Sequence, residues 1–170
     1  MNEGPALDYA VGGVGGGWGT PTYAELMAAA DNQGQNRSYL ASEENFLTVR
    51  EMEQKNLVVP LVGDFAGAKA IRAVAGYLKD HGATVTAFYA SNVEQYLFQQ
   101  GNDWRKFYSN VSTLPLDSSS TFIRSVSGNY FRGNGRRIRF QSVLSPMQEF
   151  VEAYEQGQIR YYRQVVGMSQ

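Results

Sequence analysis

Cysteine is absent from this chain of 170 residues, which excludes disulfides, thiolate nucleophiles and thiolate metal sites. A cysteine-free chain fits a reducing compartment, and the cytoplasm is the default expectation. Histidine occurs once, as His81. A zinc site would need a shell dominated by carboxylates, and a serine–histidine triad would have to recruit that one imidazole. Net charge is nearly absent too: fifteen basic against sixteen acidic side chains leave −1, so no global field draws the protein to nucleic acid or an anionic membrane. No apolar run approaches the roughly 18 residues of a membrane span, and Asn2, Glu3 and Gly4 stand where a secretory signal carries positive charge.

What is present is apolar material for one core: 43% hydrophobic and 13% aromatic residues. Residues 1–21 are glycine-rich around Gly12 to Gly19 and read as a flexible entry segment, since the spacing of a dinucleotide-binding loop is not met. One domain is expected over residues 22–170.

Thr20 or Thr22 can cap a short helix over 23–30, and Ser42 a second one running to about Lys55. The apolar run 57–62 before Gly63 and Asp64 reads as a strand buried on both faces, with Pro60 as the objection because proline donates nothing to a ladder. Residues 66–81 carry Ala70, Ile71, Val74, Tyr77 and Leu78 on one helical stripe, closed by Gly82. A strand over 83–90 and a helix from Ser91 or Asn92 complete a parallel crossover unit. Further expectations are a helix after Asp103, strands over 121–126 and 138–144, a capping box from Ser145 to Gln148 opening a helix through Tyr154, and a last helix near 160–168.

In an open parallel sheet, ligands bind outside the carboxyl ends of the strands. That rule gathers Glu43, Glu44 and Asn45 with Gly63, Asp64 and Phe65, and with Ser91, Asn92, Glu94 and Tyr96. Each has a plainer role: Glu43 and Glu44 complement a helix dipole, Asp64 makes a turn or a cap, and Ser91 and Asn92 cap a helix. Functionally, Asp64 would accept a hydrogen bond from a cofactor or act as a general base. His81 ends a helix, where a cation is favourable. Arg132, Arg136, Arg137 and Arg139 beside Tyr130 and Phe131 form the one basic cluster interleaved with aromatics, a phosphate or RNA contact or else a solvated hairpin.

Four stretches, 21–27 (PTYAELM), 37–46 (RSYLASEENF), 56–67 (NLVVPLVGDFAG) and 86–97 (TAFYASNVEQYL), together resemble a family of uncharacterised bacterial methyltransferase-like proteins. The resemblance runs from Pro21 onward and looks like the C-terminal half of a longer protein. It implies a partial Rossmann-like α/β fold of the class I methyltransferase type, a mainly parallel sheet with helices on its faces. It further implies S-adenosylmethionine as cofactor, held by Glu43, Glu44, Gly63, Asp64, Phe65, Ser91 and Asn92, with Asn45 and Glu94 as catalytic residues near the acceptor. The glycine loop of such folds is absent, which brings in a second expectation: a noncatalytic Rossmann-like module that pairs with a partner protein, its missing half or another copy of itself.

Overall fold

The computed structural model describes residues 22–31, 33–127 and 140–169. The entry segment 1–21 and the whole basic cluster, Tyr130 through Arg139, lie outside the described residues. The chain divides into two compact units, Met1–Pro60 and Leu61–Gln170, and each is taken by itself.

The first unit holds α1 (Tyr23–Ala28) and α2 (Glu43–Gln54). Thr22 and Glu25 form a reciprocal capping box at α1, and the Ser42 hydroxyl accepts from the Asn45 amide at 3.1 Å to cap α2. Between them Asp31 folds a turn by accepting from the amides of Gln33 and Gln35 at 2.8 and 2.9 Å, and Arg37 closes on it at 2.9 Å. None of the described residues from 22 to 60 is buried.

The second unit runs α3 (Ala70–Asp80), β1 (Ala87–Ser91), α4 (Val93–Gln99), α5 (Asp103–Val111), β2 (Thr121–Ser127), β3 (Phe140–Pro146), α6 (Met147–Glu155) and α7 (Tyr162–Gly167). Its sheet has the order β1-β2-β3, parallel between β1 and β2 and antiparallel between β2 and β3. The protein is therefore a mixed α/β structure with a small mixed sheet, where a mainly parallel one is expected.

The crossover falls in a different place from the expected one. Residues 57–62 form no strand and are exposed, Val62 fully at 101%. Pro60 removes a ladder donor and Asn56 turns the backbone into the left-handed region at φ 52°, so the run does not enter a sheet. The parallel connection instead leaves β1, passes through α4 and α5, and returns on β2. β1 begins at Ala87 rather than Ala83; before it, the Val85 amide donates to the Pro115 carbonyl at 3.0 Å.

Period-2 alternation sorts the sheet into two faces. Phe122, Arg124 and Val126 of β2 and Val143 and Ser145 of β3 point into the core, against Phe107, Tyr108, Met147 and Phe150 of the helices. Phe98 stacks on Trp104 at 4.7 Å beside α7, adding an aromatic layer. The register aligns Tyr89, Ile123 and Leu144 across the three strands on the other face. There Tyr89 is 63% and Leu144 49% exposed.

The capping box expected at Ser145 does not form. Pro146 is the N-cap of α6 without a side-chain bond, because the Ser145 hydroxyl is taken by the buried guanidinium of Arg124.

Candidate functional site: a groove beside β1 and a buried ion pair

Residues 63–67 make a compact turn ahead of α3. The Asp64 carboxylate accepts from the Ala66 amide at 2.9 Å, and its carbonyl accepts from the Gly67 amide at 3.0 Å, the pattern that suits aspartate to turns. Asn110 of α5, itself buried, fastens this turn by donating to the carbonyls of Phe65 and Gly67 at 3.1 and 2.8 Å. Its Oδ1 accepts from Arg72 Nε at 2.8 Å, which ties α3 into the same knot. Gly63 passes so near α3 that a Cβ there would sit 2.3 Å from the Ala70 Cβ.

The turn, α3 and residues 84–88 enclose a groove of about 480 Å³, within the roughly 300–1,000 Å³ typical of small-molecule sites. Leu61, Phe65, Ile71, Val74, Leu78 and Phe88 give it an apolar wall, and Asp64 is the one ionisable group among its lining residues. Phe65 lies nearly parallel to Phe88 at 6.4 Å and edge-on to Phe107 at 5.9 Å, so the groove floor is continuous with the core.

At the other end of β1 the chain turns sharply. Ser91 is held in the left-handed region at φ 50°, after a register irregularity between Tyr89 and Ser91. Asn92 stands at the N-cap of α4 but makes no side-chain cap bond. One turn on, Glu94 enters the core at 1% exposure. Its carboxylate takes two bonds from Arg124, Nε at 2.5 Å and Nη2 at 3.1 Å, and a third from the Tyr108 hydroxyl at 2.7 Å. The Arg124 guanidinium, fully buried, lies 4.1 Å from the Phe122 ring and 4.5 Å from the Phe150 ring, and it also reaches Ser145. Burial first, and then the Glu94 charge, push the Tyr108 hydroxyl well above the ordinary phenol range. The arrangement is a closed polar knot inside the core.

The seven residues expected to hold a cofactor and the two expected to be catalytic, Asn45 and Glu94, are found as follows. Gly63, Asp64 and Phe65 share the groove. Ser91 and Asn92 are at the exit of β1, outside the groove lining, and Glu94 is sealed in its ion pair. Glu43, Glu44 and Asn45 belong to the first unit, where Asn45 Nδ2 donates to the Ser38 carbonyl at 3.2 Å and braces the entry to α2. The polar side chains in the groove lining are the Asp64 carboxylate and the hydroxyls of Thr84 and Thr86.

Sequence reasoning missed Tyr108, Asn110, Arg124 and Ser145. One signal was there: Arg124 occupies an inward position between Phe122 and Val126, where a charge implies a buried counter-charge. Among the described residues no three His, Asp or Glu side chains are placed to hold a metal ion. His81 sits at the end of α3, its Nδ1 2.7 Å from the Tyr77 carbonyl and its ring 4.1 Å from that of Tyr77. Among the described residues no helix is long and apolar enough to cross a membrane.

Among the described residues, fold and site define a mixed α/β unit, Leu61–Gln170, with a three-stranded mixed sheet, an apolar groove and a sealed ion pair. The chain belongs to the family described as a domain of unknown function, DUF7790, whose model matches residues 20–169. That match overturns the expected membership of a methyltransferase-like family. No curated protein matches the chain.

Proposed function

We propose that this protein is a noncatalytic interaction module, and that the unit Leu61–Gln170 pairs with a second copy of itself through the open face of its sheet. The observation that carries the reading is the row Tyr89, Ile123 and Leu144, aligned across all three strands and exposed at both ends. Parallel strand pairs normally have both faces covered, and on this side of the parallel pair β1–β2 Tyr89 stays exposed and Ile123 half-buried.

A second copy suits this face because the strand positions pointing to it, Ala87, Tyr89, Thr121, Ile123, Ser125, Ser142 and Leu144, carry no charge. Two such faces meet about a two-fold axis with no like-charge repulsion and bury an apolar row on each side. The groove supports a noncatalytic reading in turn, since Asp64 has no second ionisable group beside it in the lining to share proton transfer.

The test is light scattering on the full chain and on the variant carrying Tyr89→Lys and Leu144→Lys. The account expects a dimer that the double variant converts to a folded monomer. A wild-type monomer at about 100 µM overturns self-pairing. Saturable heat with S-adenosylmethionine and transfer of its methyl group to an acceptor overturn the noncatalytic reading.

A further inference from the structure

We infer that the groove between residues 61–65, α3 and the entry to β1 is a binding site for a small apolar molecule bearing a positive charge. The wall is apolar over most of its extent, and the polar groups that interrupt it are the Asp64 carboxylate and the threonines 84 and 86. No lysine, arginine or histidine lines it. A ligand with a flat apolar body covers the Phe65 and Phe88 side and leaves its cationic end against the exposed Asp64 carboxylate at the mouth. An anion of the same shape gains the apolar contact but brings like charge to Asp64.

The site is built rather than incidental. Asp64 is held in place because its Oδ1 already accepts from the Ala66 amide, and Asn110 clamps the two carbonyls that flank the turn. The neighbouring cation does not compete for the carboxylate. Lys106 is bonded to Asp103 at 2.7 Å, and that bond is the largest cause of its raised pKa, with Asp64 the smallest. The groove and the self-pairing face share Ala87, but the first is read through Asp64 and the second through Tyr89 and Leu144, neither of which lines the groove, so the two proposals fail independently.

Fluorescence titration of the full chain with auramine O, a cationic aromatic dye, and with 1-anilinonaphthalene-8-sulfonate, an anionic one, tests the inference. The expected result is saturable binding of auramine O, weakened roughly five- to tenfold by Asp64→Asn. That substitution keeps an Oδ1 to accept from Ala66 while removing the charge. Val74→Trp, at a half-exposed helix position, fills the groove and abolishes binding. Amide shifts at Gly63 and Thr86 should follow the cationic dye in the wild-type chain, which makes the outcome independent of how the variants fold. Equal affinity for both dyes, unchanged auramine O binding in Asp64→Asn, or shifts confined to residues outside the groove would each overturn it.

Discussion

Glu94, on the crossover helix α4, and Arg124, on β2, stand thirty positions apart in the chain and meet at full burial. Two charges taken from water gain little net stability as a pair, but either one alone in the core is expensive. Arg124→Met or Glu94→Leu by itself should therefore lower unfolding free energy by about 3–5 kcal/mol, whereas the two together should recover most of that loss. Urea melts of the three variants decide it, and additive losses would count against a coupled pair. Tyr108 adds a pH signature. Its folded pKa is raised above the unfolded value, so its contribution is complete below about pH 10 and declines as pH climbs toward the folded value. Tyr108→Phe should flatten the alkaline fall in the urea midpoint; an unaltered fall above pH 10 would assign the effect to other groups.

At the scale of elements, legibility followed periodicity. The stripe over 66–81 repeats at one period and forms a helix, α3, over Ala70–Asp80, and strands form at Thr121–Ser127 and Phe140–Pro146 where 121–126 and 138–144 are expected. Gly82 and Gly157 close α3 and α6 at positive φ, 61° and 71°, as terminators should. Residues 57–62 failed because an unbroken apolar run has no period: it cannot say which face is covered, and its proline and the left-handed Asn56 prevailed over composition. Ser145 failed for another reason. A cap is a local bond, and a buried guanidinium from a neighbouring strand outcompeted it. Of the expected site, the turn at Gly63 and Asp64 was legible because glycine and aspartate after an apolar run mark turns, while its clamp Asn110 lies more than forty residues away. The close approach at this turn yields a sharp expectation. Gly63→Ala should lower the melting temperature through collision with Ala70, and Ala70→Gly in the same chain should restore part of it. A Gly63→Ala protein as stable as the wild type would show that the turn moves away freely.

At the scale of the whole molecule the uncharged sheet face is decisive. The unit Leu61–Gln170 has a core packed on one side of its sheet, with Phe107, Phe122, Met147 and Phe150 fully buried, and an aligned apolar row left to solvent on the other. A face of that kind is closed by another chain or becomes a site of uncontrolled association. Its repeated, chargeless character favours its own copy. Sedimentation equilibrium of the intact chain across micromolar concentrations measures this most directly. The account predicts a reversible approach to about twice the 18.9 kDa chain mass as concentration rises. A mass fixed at that of the single chain over the whole range would contradict it.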